Sequence, residues 1–315
     1  MNKIKNPGAA NTGKEIRGND PTHFICYQYN IPVYINQCDS EKGKGHRALL
    51  SLDKGIILWN QKGNGMAYIK EICRTGEVVE IRKTKSYRYG KQIPRGKDVN
   101  KTPEDVKKVN GRYAEMKLRR LINTNFGHKD LFLTLTYRGK PPTKEEAKKH
   151  LARFLRILRK QCKAAGIELK YITVTEYQGK RIHHHVVMNK VDAAIIPDAW
   201  YHGRPDIRYL DNSGQYAELA SYLIKETSKT FKTDQSAAGK RWNQSKNLRP
   251  YDKLKRSTVK ANDWQQDPKP LKGYEIEKEY TQNGVFEREG RIYPYQFYSM
   301  VRRRSRDEHN REYVT

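Results

Sequence analysis

The chain has 315 residues, of which 36% are hydrophobic, and carries 63 Lys and Arg against 35 Asp and Glu. The net charge of +28 predicts a polyanionic partner, and nucleic acid is the usual one because each phosphate contact releases condensed counterions. The sequence has no apolar run of the roughly 18 residues that a membrane span needs and no signal-like N-terminal segment, which predicts a cytoplasmic protein without membrane contact. Four cysteines without a Cys-x-x-Cys pair argue against a zinc ribbon or a disulfide framework.

The two ends of the chain differ in pattern from its middle. Residues 1–20 are rich in Gly, Asn and Lys and lack periodicity, which predicts a disordered arm. Short β-prone runs such as "GIILWN" and "GEVVEIRK" predict a β-rich N-terminal element over residues 21–100. Residues 233–315 are interpreted as a basic C-terminal extension, which leaves residues 101–232 as the region of regular pattern.

The regular region begins with a predicted helix over residues 102–125, where Thr102 can act as the cap and Pro103 suits the first helical position. The stretch "LFLTLTY" at 131–137 alternates as a strand does. Its face with polar residues carries Phe132, Thr134 and Thr136.

A second helix is predicted from Thr143 to Gly166, with a capping box formed by Thr143 and Glu146. Strands at 170–176 and 181–189 then read as an antiparallel hairpin. The remaining elements are a short helix at 191–201, a strand at 206–210 and a helix at 215–230. The order β-α-β-β-α-β-α predicts an α+β fold, an antiparallel β-sheet with flanking helices on one face.

Three consecutive histidines lie in the second strand of the hairpin, in the stretch "IHHHVVM". Side chains alternate along a strand, so His183 and His185 share one face and His184 lies on the other. Glu176 on the neighbouring strand comes close to this pair if the strands join around Gly179. Two imidazoles and a carboxylate can form a three-ligand site for a divalent cation, with open positions for substrate oxygens. The alternative is a set of ordinary polar side chains on a solvated sheet face.

A divalent cation in a strongly basic protein indicates phosphoryl chemistry, which requires a nucleophile. Tyr222 lies in the predicted helix at 215–230, and Lys225 follows three residues later on the same face. A tyrosine hydroxyl can attack a phosphodiester and hold one end of the broken strand, while a nearby ammonium stabilises the negative charge. Tyrosine and lysine at this spacing are common in helices, so the motif by itself carries little weight.

The order of these motifs resembles that of rolling-circle replication initiators of the HUH endonuclease superfamily. Those proteins have a strand motif, a motif of two histidines around a hydrophobic residue, and a helix with tyrosine and lysine, matched here by "FLTLTY", "HHHVVM" and "YLIK". The resemblance covers roughly residues 102–250 and extends to replication-associated proteins of small plasmids, integrated elements and filamentous or single-stranded DNA phages. It implies an HUH endonuclease domain over residues 101–232 with the topology of RNA-recognition and ferredoxin-like folds.

The resemblance also implies roles for particular residues. His183 and His185 would be the paired ligands of Mg²⁺ or Mn²⁺, with Glu176 as the third ligand, Tyr222 as the nucleophile and Lys225 as its companion. The implied activity is nicking of single-stranded or hairpin origin DNA, which leaves a 5′-phosphotyrosine and a free 3′-OH, followed by rejoining. The sequence has no G-x-x-x-x-G-K-[ST] motif, so a host helicase and a host polymerase are the implied partners.

Some residues depart from the family pattern or extend it. His184 stands where the family has a hydrophobic residue, which is compatible with the pattern if its ring packs on the opposite face of the sheet. Tyr216 lies six residues before Tyr222, a poor match to one helical face, so a single-tyrosine enzyme is predicted. Thr134 and Thr136 are expected to face the site.

Other functions remain compatible with the same residues. A relaxase or transposase would use the same chemistry on a transfer origin or a transposon end. A non-catalytic DNA-binding regulator with an incidental histidine cluster would bind DNA without the ion and without Tyr222. Cleavage of DNA with Mn²⁺ against EDTA separates the regulator from the enzymes.

Overall fold

The computed structural model describes residues 67–85, 102–177, 181–233, 240–261, 263–288 and 291–304, all within one unit of the chain, Val33–Thr315. These residues form antiparallel β-sheets with flanking helices, which confirms the predicted α+β fold class. The predicted arm at 1–20 and the β-prone runs before residue 67 lie outside the described residues. Among the described helices, none combines the length and the apolar character that crossing a membrane requires.

The described elements follow the chain in this order. The strands are β1 (Tyr68–Thr75), β2 (Val78–Lys85), β3 (Leu131–Leu135), β4 (Tyr171–Glu176), β5 (His183–Met188), β6 (Pro205–Tyr209), β7 (Asn243–Gln244), β8 (Lys255–Val259), β9 (Tyr274–Ile276), β10 (Gln282–Arg288) and β11 (Arg291–Arg302). The helices are α1 (Pro103–Asn125), α2 (Lys144–Ala164), α3 (Ile195–Ala199) and α4 (Ala217–Thr233). A 3₁₀ turn, Lys278–Tyr280, follows β9.

The central sheet has the strand order β6-β3-β5-β4-β7, and its neighbouring strands are antiparallel. The chain passes through β3-α2-β4-β5-α3-β6, the β-α-β-β-α-β order of ferredoxin-like folds, as the sequence predicted. In the β4–β5 hairpin, Glu176 pairs with His183 and Val174 pairs with His185. The predicted turn residue Gly179 lies outside the described residues.

Helices cover both faces of the central sheet, whereas the sequence pattern predicted them on one face. Helices α2 and α3 pack on one face, against a core that includes Leu131, Leu133, Leu135, Phe154, Val186 and Trp200. Helices α1 and α4 pack on the other face, against a core that includes Leu118, Ile122, Ile172, Val174, Val187 and Leu223. Both cores depend on strand alternation, because successive side chains of one strand point to opposite faces.

Helix α2 begins and ends as predicted. The Thr143 hydroxyl accepts a bond from the Glu146 N–H at 3.2 Å, and the Glu146 carboxylate accepts one from the Thr143 N–H at 2.8 Å. This capping box satisfies backbone donors that the first turn leaves without partners. Gly166 lies just after the helix at φ 70°, a left-handed conformation that glycine adopts without a steric penalty.

The second sheet joins two segments that are far apart in the sequence. Its strand order is β10-β11-β2-β1-β8, with β9 also paired to β11, so residues 67–85 and 255–302 share one sheet. Glu80 of β2 is 2% exposed, and its carboxylate accepts bonds from Arg119 and Arg120 of α1 at 2.9 and 2.7 Å. This buried ion cluster fixes α1 against the second sheet, because loss of one partner would leave a buried charge uncompensated. The predicted domain boundaries stay a prediction.

Candidate metal and nucleophile site

Glu176, His183 and His185 meet at one end of the β4–β5 hairpin. Each offers one ligand atom, and these atoms lie within 4.8 Å of one another. His183 Nε2 is 2.9 Å from Glu176 Oε2. Glu176 is 3% exposed and His185 is 1% exposed, while the His183 side chain is 24% exposed, so solvent reaches the group mainly past His183.

The second nitrogen of each imidazole has an oxygen partner in the protein. His183 Nδ1 lies 3.1 Å from the Arg181 carbonyl oxygen, and His185 Nδ1 lies 3.3 Å from the Thr134 hydroxyl. Histidines that bind metals usually donate their other ring N–H to such an acceptor, which fixes the tautomer and the orientation of the ring. The side chains therefore fit a divalent cation, with two imidazole nitrogens and a carboxylate oxygen as ligands.

Tyr222 of α4 lies over the same face of the sheet. Its hydroxyl oxygen is 3.3 Å from His185 Nε2, and the two ring centroids are 5.2 Å apart. The side chain is 41% exposed although the next residue, Leu223, is buried in the core below. The phenol is therefore beside the candidate ligands and open to a DNA strand. Lys225 is exposed on the same helix, three residues further on.

Phe132 of β3 was not singled out from the sequence as a site residue. Its ring stacks on His185 at 5.7 Å with an interplanar angle of 15°, and it meets Tyr222 edge to face at 6.3 Å. Phe132 thus fixes the imidazole and the phenol relative to each other. The signal was present in the alternation of "LFLTLTY", which places Phe132 on the same face as Thr134.

Two other residues of the sequence argument lie elsewhere. The Thr136 hydroxyl, expected to face the site, donates to the Arg204 carbonyl at 3.1 Å, beyond the end of β3. Tyr216 is 4% exposed and its hydroxyl donates to the Asp211 carbonyl at 2.9 Å. Burial raises the pKa of Tyr216, so this phenol stays protonated and held by the backbone.

His184 points to the opposite face of the sheet and is fully buried. Its Nε2 lies 2.9 Å from the Tyr137 hydroxyl and its Nδ1 lies 2.8 Å from the Thr175 hydroxyl. Burial, together with the nearby histidines, lowers the pKa of His184 to about 3. A neutral imidazole can donate at one nitrogen and accept at the other, so both hydroxyl contacts are satisfied within the core.

Residues 130–231, about a third of the chain, match the family model of replication-associated proteins of the ORF2 and gene II protein type. The matched range contains β3, the β4–β5 hairpin and Tyr222 of α4. The predicted resemblance to a rolling-circle replication initiator of the HUH type is confirmed over this range. No curated protein and no solved structure shows significant similarity to the chain.

Proposed function

We propose that this chain is a replication initiator that nicks single-stranded or hairpin origin DNA through Tyr222, assisted by a cation bound to Glu176, His183 and His185. The observation that carries this proposal is the 3.3 Å distance between the Tyr222 hydroxyl and Nε2 of His185. The match to replication-associated proteins supports DNA replication as the process. The net charge of +28 supports a nucleic-acid substrate.

The reaction exchanges one phosphate ester for another. The Tyr222 oxygen gives up its proton and attacks the scissile phosphorus, while the bond from phosphorus to the 3′ oxygen breaks. The 3′ oxygen takes up a proton and leaves as a free hydroxyl, and the 5′ phosphate stays esterified to Tyr222. Attack of a 3′-OH on the phosphotyrosine reverses these steps and rejoins the strand.

The side chains around the phenol position the reacting groups. Mg²⁺ or Mn²⁺ at the candidate ligands would supply positive charge to a non-bridging phosphate oxygen. Thr134 orients the ring of His185, and Phe132 keeps that ring beside Tyr222. The Lys225 ammonium, three residues further along the exposed side of α4, offsets charge that develops on the phosphoryl group or the phenolate.

The proposed reaction takes place in the cytoplasm, where the free 3′-OH primes a host polymerase and a host helicase separates the strands. A relaxase or transposase would carry out the same chemistry at a transfer origin or a transposon end. The sequence at the mapped nick separates these alternatives. DNA binding that persists without cleavage under all metal conditions would instead support a regulator.

Covalent capture of labelled DNA tests the proposal directly. Single-stranded oligonucleotides that tile the intergenic DNA of the genetic element are labelled at the 3′ end, because the fragment with the 5′ phosphate stays on the protein. The label is expected on the wild-type protein with Mn²⁺ and not with EDTA. Mass spectrometry is expected to place the adduct on the peptide that contains Tyr222.

Matched tyrosine variants make the assignment specific. Tyr222→Phe is expected to form no adduct. Tyr113→Phe alters a tyrosine of α1 that is 54% exposed and outside the site, and it is expected to form the adduct as the wild type does. An adduct on the Tyr222→Phe protein would show that another residue is the nucleophile.

A further inference from the structure

A cavity of about 430 Å³ opens beside Tyr222, on the face of the central sheet that carries the candidate metal ligands. Phe132 lines this cavity, and the same ring contacts His185 and Tyr222, so the cavity and the site share a wall. Glu218 and Leu219 also line it and lie one helical turn before Tyr222. The volume falls within the range of roughly 300–1,000 Å³ that is typical of small-ligand sites.

The opposite wall of the cavity comes from the segment after β9. Glu277 and Tyr280 line it, although the sequence offered no role for this part of the chain. Gln215 Nε2 and Ser299 Oγ donate to Glu277 Oε2 at 2.8 and 2.6 Å. These donors hold the carboxylate in place through one oxygen, so Oε1 can accept a bond from a ligand.

The polar lining of the cavity is acidic in a strongly basic protein. Glu218 and Glu277 contribute carboxylates, and the cationic lining residue Arg208 is paired with Asp206 at 2.9 Å. Burial, followed by the charges of Glu218 and Glu277, raises the pKa of Tyr280 to about 12, so its hydroxyl remains a donor at neutral pH. A phosphate group is repelled by such a lining, whereas a neutral ligand with amino groups is favoured.

Helix α4 places opposite charges on the two sides of Tyr222. Lys225 lies three residues after the tyrosine, and Glu218 lies four residues before it, so both are on the same side of the helix. A nucleotide that meets the phenol with its phosphate toward Lys225 extends its base toward Glu218. There the ring of Phe132 and the exposed ring of Tyr209 offer surfaces on which a base can stack.

We propose that this cavity binds the base of a nucleotide next to the scissile phosphate and selects an amino-bearing base over thymine. Carboxylates accept hydrogen bonds from exocyclic amines such as N4 of cytosine, and adenine and guanine also carry an amine, whereas thymine has none. The inference rests on the proposed nicking function, because the phosphate attacked by Tyr222 then lies at the rim of the cavity. The second sheet acquires a role in substrate selection, since its segment supplies Glu277 and Tyr280.

The test uses binding rather than cleavage. The full chain with Tyr222→Phe is incubated in EDTA with short single-stranded oligonucleotides of random sequence, and retained and unretained molecules are sequenced. At one position of the retained sequences, an amino-bearing base is expected to exceed thymine by at least about tenfold. Glu218→Gln and Glu277→Gln, each added to Tyr222→Phe, are expected to lower this ratio to less than about threefold.

Two features keep the test decisive. Glu218 is exposed, so its substitution tests the cavity even if Glu277→Gln weakens the packing of its segment. Glu279→Gln makes the same change at an exposed position outside the cavity lining and is expected to leave the ratio unchanged.

The possible outcomes separate the cavity from the nicking function. A thymine ratio that neither glutamate variant changes, or an absence of any base preference, overturns the role of the cavity. Cleavage by the wild-type protein with Mn²⁺ would leave the nicking function standing in that case. A base preference that depends on the glutamates, in a protein that never forms the adduct, would support the cavity and overturn the nicking function.

Discussion

Strand β5 carries three consecutive histidines with opposite surroundings on the two faces of the central sheet. On the face of α2 and α3, His184 is fully buried, and the Tyr137 and Thr175 hydroxyls bond both of its ring nitrogens. On the face of α1 and α4, His183 and His185 turn Nε2 toward a carboxylate and a phenol. The same residue type is thus satisfied within the core on one face and left with nitrogens for a ligand on the other.

This contrast teaches that a histidine cluster cannot be interpreted from residue type alone. Buried polar groups need partners inside the protein, and where those partners are present the residue contributes to stability. Where the partner is a carboxylate beside an exposed tyrosine, the residue is available for chemistry. Substitutions on the two faces should therefore have separable effects on cleavage and on stability.

The largest effect is expected from His183→Ala, which removes a candidate ligand at a partly exposed position. Formation of the DNA adduct should fall by about 1,000-fold, because a metal ion supplies several kcal/mol of charge stabilisation in such reactions. Thermal unfolding without metal should change little. His128→Ala, at an exposed histidine after α1, should match the wild type in both measurements. Cleavage by His183→Ala at the wild-type rate would remove His183 from the ligand set.

The opposite pattern is expected from His184→Ala. The free energy of unfolding should fall by about 3 kcal/mol, because a cavity forms and the Tyr137 and Thr175 hydroxyls lose their partner. Urea unfolding measures this loss, and calorimetric titration with Mn²⁺ below the unfolding transition should still detect binding. Unchanged stability together with lost Mn²⁺ binding would show that the two faces have been assigned the wrong way round.

A smaller effect is expected from Thr134→Val, which removes the oxygen partner of His185 Nδ1. Affinity for Mn²⁺ should fall by about 10–100-fold, the usual cost of losing an outer partner of a metal ligand. Thr136→Val is the matched control, because that hydroxyl donates to the Arg204 carbonyl outside the site. Equal affinities in calorimetric titrations of the two variants would mean that Thr134 does not orient the imidazole.

The smallest effect is expected from Tyr137→Phe, which keeps the buried ring and removes the hydroxyl that contacts His184. The free energy of unfolding should fall by about 1 kcal/mol, the typical net contribution of one hydrogen bond. Adduct formation should remain at the wild-type rate, since Tyr137 lies on the face away from Tyr222. Slower cleavage in a fully folded Tyr137→Phe protein would indicate that the two faces are coupled through His184.

Local patterns were sufficient to predict the central sheet and the geometry of the candidate site. The capping box of α2 and the β4–β5 hairpin are formed by residues close in the sequence, so their residue types carry the information. The hairpin register places Glu176 opposite His183, as predicted. The second sheet was not predictable in this way, because Lys83 and Gln296, which bond at 2.7 Å, are 213 residues apart.

The sequence by itself determined that His183 and His185 share a face and that His184 does not, because alternation is a property of the extended backbone. Tertiary structure decided what each face meets: the phenol of Tyr222 on one side, and the hydroxyl of Tyr137 on the other. It also brought Glu277 to the cavity beside Tyr222. These outcomes depend on packing between elements that are distant along the chain, and no local pattern of residues specifies such contacts.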